Sequence, residues 1–91
     1  MKIIYFDNNA TTRVADEVYE AMEPYLRTFY GNPSSMHTFG GQVGVKIRQA
    51  RESVARLLGC DPSEIIFTSC GTESDSTAIL GTLSAVPHRN W

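Results

Sequence analysis

The sequence predicts an α/β fold, a mostly parallel sheet flanked by helices, of which this chain supplies an incomplete part. Two observations carry that expectation. Short β-rich runs at "KIIYF" (2–6) and "EIIFTS" (64–69) alternate with segments of helical periodicity. The order reads strand, helix, loop, helix, strand, helix, which is the alternation of parallel-sheet proteins. A third observation qualifies it. Two strand candidates cannot cover the apolar helix faces, so the sequence reads as the front part of something longer.

The first strand candidate is followed by "DNNATT", turn-forming residues that break it. Asp16 is the expected N-cap of the next helix. Val18, Met22, Tyr25 and Phe29 recur at steps of four, three and four, which places them on one helix face. Pro24 lies inside this pattern, removes a backbone donor and is expected to kink or split the helix. Gly31 is the expected stop. "GNPSSMHTFGG" (31–41) has no periodicity and reads as a loop longer than the usual ~4–6 residues. Val43, Ile47, Ala50, Val54 and Leu57 form the apolar stripe of a second helix, with Lys46, Arg48, Arg51, Glu52 and Arg56 expected to face solvent. Gly59 ends that helix and "DPSE" (61–64) is a turn. After the second strand comes an amphipathic helix with Ile79, Leu83 and Val86 on one face. Tyr5, Phe6, Tyr25, Phe29 and Tyr30 read as core or interface, and Trp91 as a residue ordered only by contacts with further chain.

Composition removes several functions. The 91 residues make one small domain at most, and such a chain buries little more than ~60% of its unfolded surface. Hydrophobic content of 42% and charged content of 20% describe a globular protein. A net charge of −2 gives no electrostatic case for nucleic acid. No apolar run approaches the ~20 residues of a membrane helix, and the N-terminus lacks a signal peptide's apolar core and cleavage site. The expectation is a cytoplasmic protein with neither nucleic-acid nor membrane partners. Cys60 and Cys70 form no CxxC and no Cys/His cluster has metal spacing, so no metal site is expected. Two such cysteines in a cytosolic chain are expected to be buried, reduced and inert.

"FTSCGTESDS" (67–76) runs from strand to helix through Gly71. The first amides of a helix lack partners, and the dipole places partial positive charge there. Gly71 lets a ligand approach the backbone, and Thr72 adds a hydroxyl, so the join is a candidate phosphate site without Lys or Arg. The competing reading is a capped helix start, with Thr72 and Asp75 as a capping box. Glu73 and Asp75 favour the dipole and can face away from a ligand, so the residues leave both readings open. No GxxxxGK[ST] pattern is present, which speaks against a nucleoside triphosphate.

"YFDNNATTRV", "YGNPSSMHTFG" and "IIFTSCGTESDSTAI", in that order, resemble the N-terminal portion of the cysteine desulfurases of the nitrogen-fixation type, in the class-V aminotransferase superfamily. The resemblance runs from about Ile4 to about Leu83. It implies the aspartate-aminotransferase-type fold, homodimers and pyridoxal 5′-phosphate (PLP) as cofactor. It also implies conversion of L-cysteine to L-alanine, with sulfur passed as a persulfide to an iron–sulfur scaffold or other acceptor protein. On this resemblance, residues 1–40 are an N-terminal segment with an active-site and dimer loop, and residues 41–91 begin the large cofactor-binding domain. Gly71 and Thr72 are the implied PLP-phosphate ligands.

The resemblance implies no catalytic residue within this chain, and none is assigned to Asn8, Asn9 or His37. PLP chemistry needs a Lys for the Schiff base. Lys2 and Lys46, the chain's lysines, lie outside the family's Ser-x-His-Lys context. His88 does not match the ring-stacking His of the family and reads as a surface turn residue. Cys60 and Cys70 do not match its persulfide cysteine, and the helix start beside Cys70 is the only feature placed to lower a thiol pKa. The isolated chain is therefore expected to be inactive. The alternatives are a non-catalytic short chain that binds a full-length partner, and a fragment of a selenocysteine lyase or other class-V enzyme.

Overall fold

The computed structural model describes residues 1–86 and 88, so the expectation for Trp91 lies outside the described residues. The chain divides into two units, Met1–Ala50 and Arg51–Trp91.

In the first unit, helix α1 spans Asp16–Arg27. Its N-cap is Ala15, not Asp16: the Ala15 carbonyl accepts the Val18 and Tyr19 amides, at 3.0 Å each. Asp16 is the first helical residue, and Arg13 donates to its carboxylate at 2.6 Å. An acid there still complements the helix dipole, but it does not cap the helix. Pro24 does not split α1. The helix ends at Arg27, before the expected Gly31, because the Thr28 and Phe29 amides converge on the Pro24 carbonyl at 2.9 and 2.8 Å.

Helix α2 spans Thr38–Leu58, so its first turn takes up the last residues of the expected 31–41 loop. His37 makes the early start possible. Its carbonyl accepts the Gly41 amide at 3.0 Å, and its ring Nδ1 accepts the Gly40 amide at 3.2 Å. The remaining loop is a tight turn on Asn32, whose side chain accepts the Ser34 amide at 2.9 Å and whose carbonyl accepts the Ser35 amide at 3.0 Å. The turn lies against two glycines one helical step apart. A Cβ on Gly40 would overlap the Asn32 carbonyl and meet Ser35 Cβ at 2.8 Å. One on Gly44 would meet the Pro33 carbonyl at 3.2 Å. Tyr30 and Phe39 pack edge to face with ring centroids 5.3 Å apart, and Tyr25 and Phe29 lie 6.1 Å apart.

In the second unit, α2 ends at Gly59, whose φ of +71° is a left-handed conformation that glycine adopts without a Cβ penalty. The turn is a short 3₁₀ helix, Pro62–Glu64, closed by a capping box. The Ser63 amide donates to the Asp61 carboxylate and the Asp61 amide to the Glu64 carboxylate, each at 2.8 Å. Helix α3 spans Gly71–Ala85. Ile79 and Leu83 share a helix face by spacing and Val86 is the C-cap beyond the helix, and all three are exposed.

Among the described residues there is no strand. A strand is defined by its partner, and neither 2–6 nor 64–69 has ladder hydrogen bonds here. Pro62–Glu64 turns as a 3₁₀ helix, and the apolar Ile3, Ile4, Phe6 and Ile66 remain exposed. Gly40 and Ala55 are the only buried residues among those described. The expected α2 stripe is covered only in part: Val43 and Val54 are half-buried, whereas Ile47, Ala50 and Leu57 are exposed, and the buried residue is Ala55. No helix of the described residues is long and apolar enough to cross a membrane.

Candidate functional site

The join between the second extended run and α3 is built by side chains on both sides of it. Arg51 of α2 donates to the Ile65 carbonyl and lies over the Phe67 ring, 4.8 Å from its centroid. It therefore anchors the run and is not the solvated residue expected from the charge pattern. Its place had a signal: Arg51 sits four residues before the buried Ala55, on the same side of α2. Cys70 follows in an extended conformation, φ −167° and ψ 172°, and is the N-cap of α3. Its carbonyl accepts the Ser74 amide at 3.1 Å and the Thr68 hydroxyl at 3.2 Å. The Thr68 and Ser74 hydroxyl oxygens are 2.5 Å apart.

The expected Thr72–Asp75 capping box does not form. Because α3 begins at Gly71, its third residue is Glu73, and that carboxylate turns back to Ser69. It accepts the Ser69 amide at 3.1 Å and also the Ser69 hydroxyl. These bonds hold the Glu73 carboxyl below the usual range, the hydroxyl contributing most and the amide next. Its charge is thereby tied to Ser69, which leaves Gly71 and Thr72 at the first two helical positions, where amides have no helical carbonyl to receive them.

Cys70 is exposed and Cys60 half-buried, which corrects the expectation of buried thiols. For Cys70, the pKa is lowered chiefly by the Glu73 amide and next by the Ser69 hydroxyl, 3.8 Å from the sulfur. The Thr72 amide and hydroxyl add to the effect. The helix start thus favours negative charge beside the Cys70 sulfur. Gly71 leaves room beside it: a Cβ built there meets nothing within 4 Å, and its φ is not positive. Neither backbone conformation nor the chain's own packing requires glycine at 71. The donor set suits an anion that approaches the backbone from outside.

The structure thus gathers Cys70, Gly71, Thr72 and Glu73 at one helix start. His37 caps α2, while Lys46 and His88 are exposed. Among the described residues no group of three or more His, Cys, Asp or Glu could hold a metal ion. Sequence reasoning missed Arg51, Thr68, Ser69 and Ser74. The hydroxyl residues carried no periodic signal, since their roles depend on where α3 begins.

The aminotransferase class-V family matches residues 4–90, and the chain belongs to that family. A protein named cysteine desulfurase from Trichormus azollae is 64% identical over 89 residues, covering 98% of this chain and 22% of that protein. The cysteine desulfurase NifS of Azotobacter vinelandii is 60% identical over 90 residues, again 98% of this chain and 22% of that protein. The chain thus spans about a fifth of the length of these relatives. A solved structure titled NifS-like protein matches with a TM-score of 0.88 at 47% identity, over 96% of this chain and 24% of that one. That match is consistent with the aminotransferase fold.

Proposed function

We propose that residues 1–91 work as the N-terminal part of a PLP-dependent cysteine desulfurase, which takes L-cysteine to L-alanine and hands the sulfur to an acceptor protein. The observation that carries this reading is the 60–64% identity, across 98% of the chain, to proteins named cysteine desulfurase. The same reading includes a homodimer in the cytoplasm and an iron–sulfur scaffold among the acceptors. It also includes the division of the chain at residue 40, between the active-site and dimer loop and the start of the cofactor domain.

The residues at the start of α3 fit the cofactor's phosphate. Gly71 and Thr72 would hold it through their amides and the Thr72 hydroxyl, in a place where the helix dipole already favours an anion. The open side of Gly71 supplies the space. Glu73, bonded to Ser69, keeps its carboxylate engaged away from those amides. When bound, PLP supplies the electron sink that lets bonds at the amino-acid α-carbon break. This chain's part is to bind and orient that group. Its lysines, Lys2 and Lys46, lie outside the helix start, so the 91 residues alone are expected to be inactive.

The test uses the complete polypeptide that carries these residues, purified and reconstituted with PLP. Stoichiometric PLP is expected, with equal alanine and sulfide released from L-cysteine when an added thiol reduces the transferred sulfur. A protein that takes up no PLP, or that releases selenide from selenocysteine but no sulfide from cysteine, would overturn the reading. Desulfurase activity from residues 1–91 alone, free of other enzyme, would overturn the account of the missing lysine.

A further inference from the structure

Thr68 and Ser74 lie outside the residues that would touch the phosphate, yet they tie the end of the extended run to the first turn of α3. A hydroxyl has one proton to give. Thr68 gives its proton to the Cys70 carbonyl at 3.2 Å, so in the 2.5 Å pair Ser74 donates to Thr68. The Cys70 carbonyl also receives the Ser74 amide at 3.1 Å. Ser74 is therefore joined to residue 70 twice, directly through its backbone and indirectly through Thr68. The peptide unit whose carbonyl is held in this way is the one that carries the Gly71 amide. Because a peptide unit is planar, fixing the direction of the Cys70 carbonyl fixes the direction of the Gly71 N–H.

We infer that Thr68 and Ser74 are positioning residues for the phosphate turn: their hydroxyl chain orients the Cys70–Gly71 peptide so that its amide faces the anion. The inference rests on the reading of the α3 start as the PLP-phosphate site. It assigns no contact with the cofactor to either residue. Thr68 is the dominant member, because removing its hydroxyl breaks both bonds of the chain, whereas removing that of Ser74 leaves the Thr68–carbonyl bond in place.

The test compares PLP with pyridoxal, which has the same ring and no phosphate, by titrating the complete apoprotein. Thr68→Val is expected to weaken PLP about tenfold and Ser74→Ala about threefold, the scale of one hydrogen bond or less. Pyridoxal affinity should stay within about twofold of the parent protein in both variants, since lost phosphate contacts do not affect it. The double variant should match Thr68→Val, because both changes break one chain. Thr68→Ser should restore PLP binding, and the phosphorus NMR resonance of bound PLP should shift in Thr68→Val and return in Thr68→Ser. Equal losses for PLP and pyridoxal would make the pair merely structural and sink the inference, as would unchanged PLP affinity. If Thr68→Val does not fold, Ser74→Ala and Thr68→Ser decide by the same comparison. A parent protein that binds no PLP would instead bring down the site itself, and the inference with it.

Discussion

Two helix starts in this chain place glycine in different surroundings. At the start of α2, Gly40 and Gly44 lie beneath the backbone of the Asn32 turn, and a Cβ on either would press on a carbonyl oxygen. At the start of α3, Gly71 faces open space and has an ordinary backbone conformation. The first pair is explained by the chain's own packing, so it is evidence about the fold. The second meets nothing within this chain, as is also true of Gly41 and Gly81, so it leaves the backbone at that helix start approachable. The caps differ in the same sense. His37 closes α2 with its own ring nitrogen, whereas at α3 the N-cap Cys70 makes no side-chain cap bond and the Glu73 carboxylate turns back to Ser69.

The contrast is open to direct attack. Gly40→Ala should have the largest effect on stability. The added methyl must displace the Asn32 carbonyl, and overpacking of this kind costs about 1–3 kcal/mol. Better helix propensity returns at most ~1 kcal/mol of that. Hydrogen exchange of the Ser35 amide in the complete protein should speed up as the turn lifts away. An unchanged rate would mean that the glycine packing does not hold the loop.

Gly71→Ala should do the reverse. Stability should change by no more than about 0.5 kcal/mol, because neither backbone nor neighbours oppose a methyl there. PLP affinity should fall about tenfold, the scale of one lost hydrogen bond, if the open space belongs to the phosphate. Thermal unfolding of the apoprotein and PLP titration measure the two halves. A large loss of stability would show that the glycine serves the fold after all.

The smallest effect concerns acid. The Ser69 bonds depress the Glu73 carboxyl in the folded chain, so their contribution is complete above the unfolded glutamate value of about 4.3. It is lost as pH falls through the lower folded value, when protonation removes the acceptor charge. The Ser69 amide should therefore exchange faster, relative to its intrinsic rate, on acidification through that window, and Glu73→Gln should flatten the dependence. A profile unaffected by Glu73→Gln would remove this cap from the description.

Much of the local framework was legible in the sequence. The periodic runs foretold α1, α2 and α3, and Gly59 foretold the end of α2, because helix periodicity and glycine stops are local properties. The boundaries were harder to read. Asp16 looked like a cap, but Ala15 holds the position. "MHTFGG" looked like loop because its glycines weaken helix propensity, while the His37 cap and the packing of Gly40 against Asn32 favour helix there. The start of α3 at Gly71 and Thr72 was legible from the glycine that follows the extended run. The Glu73–Ser69 and Thr68–Ser74 bonds were not, since a shift of one residue in the start of α3 changes which side chain faces which amide.

By itself the sequence determined where the helices lie, which helix start offers unpaired amides, and, through its likeness to known proteins, the family. Tertiary structure decided what holds those pieces in place. It put Arg51 on the Ile65 carbonyl instead of in solvent, tied Glu73 to Ser69, and separated glycines that pack from a glycine that stands open. The physical reason is range. Propensity and periodicity act over one or two turns, whereas the direction of a carbonyl or the space beside a glycine depends on neighbours that only the folded chain brings close.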